Sequence, residues 1–468
     1  MTRHSPLLLT AAFLTACTGK GAQESGDSAD SPGSDTHDSP DTDDTPDSDT
    51  GAPCADTASA LLILSPADGA SFLAGDVVAL ETEPWVTSAV WTIDGAAVAE
   101  TPSATWVATP GAHTVEVTTP DGACNLRPGY ASITVIESSV AVFGSELGLA
   151  GVTWHGLSAA PDSTLWASST AGLVHLDART DTPTVRTYTT ADGLYTDSPY
   201  GVLAHTDGSL WIGDVGNVDR QGSHMSIDAD GNLSLIEIVD FTESAEIQYV
   251  LRMREQPFGI GSGDVWMGTN EGLCIWDDDL GVFSEHAHPT HPHSLSYGVA
   301  FTPDASIWNG DQYQISRWEY SNDGNLSPSS MESGGDLAEY WVPWPVGIEE
   351  PVYITDSDSD GYTLWLASSV YGVARVDVGV DVGTSTTTLM GDPFPATANA
   401  IRADGEGHVW IGASTGLYVW DTASGTMSDV TSYLPDPAVT QITVDSVTSP
   451  AVVWAATSQG IVRFVGVP

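Results

Sequence analysis

The sequence predicts an all-β protein in which a small β-sandwich precedes a seven-bladed β-propeller. One tryptophan-containing motif recurs seven times in the C-terminal part of the chain, and the segment before it alternates short apolar runs with turns. The 468 residues include 47 glycines and 16 tryptophans, a composition that suits short strands and tight hairpins better than helices.

The N-terminus, MTRHSPLLLTAAFLTAC, has the features of an export signal. Its apolar run of about a dozen residues is too short for a stable membrane span and ends in small residues. The ending resembles a bacterial lipoprotein lipobox, which implies that Cys17 becomes the lipidated first residue of the mature protein. Thr18 follows where an aspartate would imply inner-membrane retention, so we expect an outer-membrane or cell-surface location. An ordinary signal peptide is the alternative.

Residues 18–57 are predicted to form a disordered acidic tether between this anchor and the folded chain. They are rich in Asp, Ser, Thr, Pro and Gly and contain no aromatic residue. Such a segment buries too little apolar surface to offset the entropy of ordering it, and its like charges keep it extended.

Residues 58–137 are predicted to form the β-sandwich, because apolar strands and turns alternate roughly every ten residues. The resemblance to Ig-like or PKD-like modules of secreted bacterial proteins is carried by Pro66, Gly69, Gly75, the stretch VWTIDG and the run PGAHTVEV. Trp91 is then a core residue. Cys54 and Cys124 lie near the two ends of this module, where a disulfide in an oxidising compartment can join them.

The repeated motif occupies residues 138–468 and is predicted to build the propeller. Its marked tryptophans are Trp166, Trp211, Trp266, Trp308, Trp365, Trp410 and Trp454. They are 42 to 57 residues apart, a period that accommodates one four-stranded sheet per unit. We expect each tryptophan to pack between adjacent sheets. The segment 138–151 matches an outer strand, and we expect it to complete the last blade.

Units such as DVWMGTNEGLCIWD and HVWIGASTGLYVWD resemble the two-component regulator propeller repeat. The resemblance covers residues 139–468 and implies an extracytoplasmic sensor or secreted propeller. The membrane span and kinase that often follow such propellers have no counterpart here, so phosphorelay is not implied. Cys274, within one of these units, is predicted to be a small buried residue.

The net charge of −51, from 12 basic and 63 acidic residues, excludes nucleic acid and anionic lipid as partners. Any membrane contact is expected through the lipid anchor alone. A peptide, glycan or protein outside the cytoplasm is the expected ligand.

Two groups of residues are candidates for ligand binding. Asp214, Glu271 and Asp311 lie in predicted loops between second and third strands, a face where propellers often bind ligands. Tyr340, Trp341 and Trp344 lie in EYWVPWPVG, outside the repeat pattern, and exposed aromatic rings there would stack on sugars or peptides. Packing beneath an insertion is the alternative for the aromatic group.

No cofactor is predicted, although two motifs raise the question of a metal. Asp356, Asp358 and Asp360 in DSDSDGY match the first half of a calcium loop, but the twelfth position holds Ala367 in place of glutamate. A simple Asp-Gly turn is the alternative. The histidines of HAHPTHPHSLS are spaced as zinc or copper ligands are, or they form an ordinary loop.

These observations favour a lipid-anchored, non-catalytic binding or sensing protein. A propeller-fold lyase or hydrolase acting on an extracellular polysaccharide or small molecule is the alternative. It requires a histidine that converges with a glutamate or aspartate at the central mouth, and two of His175, His205 and Glu271 within hydrogen-bond distance there would meet this requirement.

Overall fold

The computed structural model describes residues 60–120, 126–215, 220–240, 247–259, 262–278, 281–287, 295–313, 315–318, 342, 344–345, 348, 351–379, 384–445 and 447–467. For residues 282–287 only the backbone is described. The chain divides into the units Met1–Pro53 and Cys54–Pro468, and every described residue belongs to the second. The predicted signal with Cys17, the whole predicted tether, and the predicted Cys54–Cys124 disulfide lie outside the described residues.

The all-β prediction is confirmed. Within the described residues, helix is limited to the single turns Ser145–Leu147, Thr190–Asp192 and Thr431–Tyr433 and to the one residue Thr384. No described helix has the length and apolar character that crossing a membrane requires.

The N-terminal part consists of two sheets that enclose a common core. Its strands are β1 Ile63–Ser65, β2 Ser71–Leu73, β3 Val77–Thr82, β4 Val90–Ile93, β5 Ala96–Ala99, β6 Ser103–Val107, β7 Gly111–Thr118 and β8 Gly129–Ile136. One sheet has the order β1-β3-β6 and the other β2-β8-β7-β4-β5. Trp91 is fully buried in the core, as predicted, and its indole Nε1 donates to the carbonyl of Thr101 at 3.0 Å.

Seven further sheets, here called sheets 1 to 7, follow in chain order. Sheet 1 contains β10 Trp154–Ala159, β11 Leu165–Ser169, β12 Gly172–Asp177 and β13 Thr184–Tyr188; sheet 2 contains β14 Val202–Ala204, β15 Leu210–Gly213, β16 Gly222–Ile227 and β17 Leu233–Val239; sheet 3 contains β18 Val250–Glu255, β19 Val265–Thr269, β20 Gly272–Asp277 and β21 Val282–Ala287; sheet 4 contains β22 Gly298–Phe301, β23 Ile307–Gly310 and β24 Ile315–Trp318.

Sheets 5 to 7 complete the set. Sheet 5 contains β25 Ile354–Asp360, β26 Thr363–Ser368, β27 Gly372–Asp377 and β28 Thr386–Met390; sheet 6 contains β29 Ala400–Ala403, β30 His408–Ala413, β31 Gly416–Asp421 and β32 Thr426–Asp429; sheet 7 contains β33 Val439–Asp445, β34 Val452–Thr457 and β35 Gly460–Val465, with β9 Ser139–Phe143 as its fourth strand.

The first strands of successive sheets contact one another, and β10 of sheet 1 also contacts β33 of sheet 7. The seven marked tryptophans are all buried, as predicted, and each packs against the following sheet. Trp166 contacts the core of sheet 2, and Trp454 of sheet 7 contacts the core of sheet 1. A single twisted sheet cannot bury both of its own faces. The flat indole rings therefore fill the space between adjacent sheets.

The predicted pairing of the 138–151 segment with the last unit is confirmed. Strand β9 is antiparallel to β35, with Ala141 opposite Arg463 and Phe143 opposite Ile461. Sheet 7 is also linked to sheet 1, because the Nε1 of Trp154 donates to the carbonyl of Thr457 at 2.9 Å. The edge of β35 that a three-stranded sheet 7 would leave unpaired is therefore covered by β9.

Candidate functional site

The position that faces each marked tryptophan across the first hairpin varies from sheet to sheet. The facing residues are Ser158, Leu203, Arg254, Ala300, Asp358, Arg402 and Thr443. The tryptophan supplies the same packing surface every time, while the residue opposite it can be small, apolar, acidic or basic. Three of these seven side chains are charged, and all three lie on first strands, at the centre of the arrangement.

A cavity of about 430 Å³ lies where the first strands meet. It is lined by the first strands of sheets 1, 2, 3 and 7 and by Arg402 of sheet 6. Arg252 and Arg254 of β18 line it as well. Since the whole chain has only 12 basic residues, the presence of three arginines in one cavity is a concentration of positive charge.

Arg402 is held by a buried ion pair. Its guanidinium Nη1 donates to Oδ2 of Asp356, and both side chains are almost completely buried. The backbone N–H of Ile401 donates to the same carboxylate oxygen at 3.0 Å. Such hydrogen bonds stabilise a buried charged pair, whose separation would leave an uncompensated charge.

Arg254 lies between two carboxylates without close contact to either. Its nitrogens are 3.9 Å from Oδ1 of Asp356 and 3.9 Å from Oδ1 of Asp358. It donates one hydrogen bond, to the carbonyl of Ser357 at 3.0 Å. Burial and the neighbouring Arg402 lower its pKa to about 10, an effect that the two aspartates only partly oppose. The guanidinium remains protonated at neutral pH.

Arg252 has no carboxylate of a described residue within 4.0 Å. It donates from Nη1 to the carbonyl of His155 at 2.9 Å, which reaches across from sheet 3 to sheet 1. Its Nε is buried and makes no hydrogen bond to any described residue, as is also true of Nε of Arg402. Burial lowers the pKa of Arg252 despite the attraction of Asp356, and Arg402 lowers it further.

The cavity also contains acidic groups, at the end where the first hairpins turn. Glu255 accepts hydrogen bonds from the backbone and hydroxyl of Thr206, and Asp445 accepts from the backbone of Val447. Tyr297 precedes β22 and does not line the cavity, and its pKa is raised to about 12 by burial and by the adjacent Tyr200. Positive charge is therefore concentrated in the middle of the cavity.

The predicted calcium motif has a different role in the structure. Asp356, Asp358 and Asp360 belong to β25 and not to a loop, and the turn begins only at Gly361. Asp356 and Asp358 face arginines, and Asp358 Oδ2 also accepts from the backbone of Ala403 at 3.0 Å. The calcium interpretation is corrected on these grounds: the expected cation position is taken by guanidinium groups, and the described residues form no cluster suited to a metal.

The acidic loop residues are also placed differently from expectation. Asp214, Glu271 and Asp311 are 3%, 2% and 0% exposed. Burial raises the pKa of Asp214 to about 6. The expectation that they form an open polar face is wrong, because each turn is covered by the neighbouring chain; the backbone N–H of Val250, for example, donates to the carbonyl of Asp214 at 3.2 Å.

Of the predicted aromatic group, the structure describes Trp344 alone. It packs against the core of sheet 5, and its Nε1 donates to the carbonyl of Tyr313 at 3.1 Å. This environment agrees with the packing alternative. Tyr340, Trp341 and the side chains of the histidine-rich loop lie outside the described residues. Cys274 is buried and unpaired, and burial raises the pKa of its thiol.

The residues considered for catalysis lie in different places. His175 stacks on Trp166, with ring centroids 4.4 Å apart. His205 contacts Asp207 at 2.9 Å and Glu255 at 3.6 Å, beside the first hairpin of sheet 2. Glu271 lies in the turn between β19 and β20, at the opposite end of the sheets. The three therefore do not converge at one mouth of the ring.

Sequence reasoning missed the arginines as a group. LRMRE and AIRADG are separated by about 150 residues of chain, and nothing in either stretch indicates that they meet. The available signal was the register: counting from each marked tryptophan back across its hairpin places Arg254, Asp358 and Arg402 at one equivalent position.

Neither a protein-family model nor a curated protein matches the chain. Solved structures do. The extracellular domain of the one-component system BT4673 from B. thetaiotaomicron superposes with a TM-score of 0.51 at 16% identity, over 70% of this chain and 39% of that one. The chain thus spans about two fifths of that domain's length.

Two other structures match over nearly their whole length. Virginiamycin B lyase from Staphylococcus aureus has a TM-score of 0.50 at 14% identity, over 71% of this chain and 100% of the lyase. The WD40 β-propeller domain of Doa1 has a TM-score of 0.51 at 11% identity, over 71% and 98%. At such identities these similarities establish the fold, and the chain contains a β-propeller.

Proposed function

We propose that this protein is an extracytoplasmic binding or sensing protein whose ligand enters the central cavity. The proposal keeps the function expected from the sequence but moves the site from the loop face to the middle of the ring. The arginine-lined cavity is the single observation that carries it.

The proposed architecture is a seven-bladed propeller with an Ig-like module in front, held to an outer membrane or cell surface by a lipid on Cys17. Seven sheets with first strands in mutual contact support the blade number. The pairing of β9 with β35 supports closure of the ring. Two sheets around Trp91 support the Ig-like module.

Binding is favoured over catalysis by the kind of side chain that lines the cavity. An arginine stays protonated near neutral pH. It therefore supplies a positive charge and hydrogen-bond donors, but it does not serve as a nucleophile or as a general base. A volume of about 430 Å³ suits a small molecule or one terminal residue of a polymer. The similarity to an extracellular domain of a signalling protein supports a location outside the cytoplasm.

The proposal is tested by probing arrays of glycans and peptides with the full chain and with an Arg254→Met variant. Binding by the full chain that the variant loses supports the central site. If both proteins bind equally well, the central site is contradicted and a site on the loop face is favoured. Turnover of an arrayed polysaccharide by the full chain favours the lyase or hydrolase alternative.

A further inference from the structure

The three arginines of the cavity do not have equivalent partners. Arg402 forms a buried ion pair with Asp356, and Arg254 lies within 4.0 Å of two aspartates. For Arg252, the described residues place no carboxylate within that distance. A network that served stability alone would not leave one guanidinium unpaired, since a desolvated charge without a partner is costly.

Donor groups are also left over. A guanidinium carries five N–H donors in a planar fork. Arg252 and Arg254 each donate one hydrogen bond to described residues, to the carbonyls of His155 and Ser357. They are two residues apart on β18, so their side chains extend from the same face of the strand. Both side chains line the same cavity, so donors that neither hydrogen bond uses are available to one ligand there.

The charge balance favours an anion there. Asp356 and Asp358 lie within 4.0 Å of Arg254 and Arg402. Glu255 and Asp445 also line the cavity, at its hairpin end, so of the three arginines only Arg252 has no close carboxylate among the described residues. The lowered pKa values of Arg252 and Arg254 have burial as their main cause and repulsion by Arg402 as a further one. A bound anion would relieve both effects, because it supplies hydrogen-bond acceptors and the missing negative charge.

We propose that the central cavity recognises a carboxylate group, which Arg252 and Arg254 bind together. This inference rests on the proposed function, since it names the ligand class of the same cavity. The planar guanidinium fork matches the two oxygens of a carboxylate. Acidic sugars and peptide C-termini both carry this group, and both are small enough at their ends for the cavity. Asp358 acts as a competing internal carboxylate that holds Arg254 loosely.

The inference is tested by titration calorimetry of the full chain with four probes. Sodium glucuronate and N-acetyl-dialanine supply the carboxylate, while glucose and N-acetyl-dialanine amide are their neutral counterparts. We expect at least one carboxylate to bind and its neutral counterpart to bind at least tenfold more weakly. Glucuronate alone indicates an acidic sugar, and the dipeptide alone indicates a peptide end. Sodium sulfate, if it binds more tightly than both carboxylates, overturns the selectivity.

Three variants separate recognition from stability. Arg252→Met is expected to weaken carboxylate binding by about 10- to 100-fold, the loss of a charged hydrogen bond, and Arg252→Lys to restore part of it. Asp358→Asn is expected to strengthen binding several-fold, because it frees Arg254. A merely structural role predicts no such gain. Arg375→Met is the matched control, since Arg375 pairs with Asp377 on β27 and does not line the cavity.

The remaining outcomes also decide the question. Binding of the neutral probes that is as tight as that of the carboxylates, or carboxylate binding that Arg252→Met leaves intact, overturns the inference but leaves the proposed function standing if Arg254→Met abolishes array binding. No binding to any probe or array overturns both. Thermal unfolding of each variant shows whether a lost signal reflects lost folding.

Discussion

The second strands of the seven sheets carry the same residue at one central position, whereas the first strands differ at the position that faces it. Every second strand carries a buried tryptophan, and that residue performs the same packing role each time. The first strands carry, at the facing position, residues as different as Leu203, Arg254 and Asp358. The constant feature of the repeat is thus the tryptophan that packs between sheets. The residue that faces it varies, and this variation determines which side chains lie near the centre.

This difference separates the residues that recur because packing requires them from the residues that vary between sheets. A tryptophan between sheets is required wherever two sheets meet, so it recurs. A charge at the centre need not recur, because contacts between the first strands bring distant sheets together. Arg254 of sheet 3 and Asp358 of sheet 5 interact although more than 100 residues separate them.

The largest effect on stability is expected from removing one of the tryptophans that pack between sheets. Trp266 is fully buried, and its Nε1 donates to Gln256 at 3.0 Å. Trp266→Ala removes the ring and leaves a cavity, so the free energy of unfolding should fall by about 3–5 kcal/mol. Urea unfolding followed by circular dichroism measures this loss. Trp85→Ala, at an exposed tryptophan, is the control, and an equal loss in both variants contradicts the packing role.

A smaller loss is expected from breaking one pair at the centre. Arg402→Met leaves the carboxylate of Asp356 buried without its main partner, which should lower the free energy of unfolding by about 3 kcal/mol. The same urea experiment applies. Adding Asp356→Asn should recover part of the loss, because the buried carboxylate that Arg402→Met leaves unpaired is then replaced by a neutral amide. If the double variant is less stable than the single one, the pair is not the source of the effect.

The sheet ends provide a pH-dependent test. Asp214 follows the second strand of sheet 2, and burial raises its pKa from 3.8 to about 6. The folded state therefore holds this proton more tightly than the unfolded state, so stability contributed by the group rises as pH falls from about 6 to about 4. Asp214→Asn should remove this rise and increase stability at pH 7 by roughly 2–3 kcal/mol. An unchanged pH profile of the melting temperature contradicts the assignment.

The smallest effect is expected at His408, beside the tryptophan of sheet 6. Asp404 accepts hydrogen bonds from His408 and from Trp410, and the bond to Asp404 raises the pKa of the histidine above 6.5. The stabilisation is complete below pH 6.5 and is lost as pH rises through the folded-state pKa. His408→Gln should abolish this dependence at a cost below about 1 kcal/mol. Melting temperatures between pH 5.5 and 8 measure it.

Most of the fold could be predicted from the sequence because the repeated tryptophan marks each sheet. The likeness of residues 138–151 to an outer strand also predicted the position of β9. The pattern worked because packing between sheets is a local requirement that every repeat must meet. The loop residues were less predictable, since burial of Asp214 and Asp311 depends on how neighbouring units cover each turn.

The candidate site could not be predicted in the same way. DSDSDGY has the spacing of a cation loop, and only the register of β25 shows that Asp356 and Asp358 face guanidinium groups. Those groups come from β18 and β29, and their approach depends on how the first strands of different sheets pack together. A linear pattern carries no information about partners that tertiary structure alone brings into contact.

The pairing of Phe143 with Ile461 also has a consequence for the timing of assembly. During synthesis, residues 139–143 emerge about 300 positions ahead of the strand that will bind them. Contacts of such high sequence separation form slowly. We therefore expect the earliest strand of the propeller to gain protection from hydrogen exchange last during refolding, only after the C-terminal residues have docked.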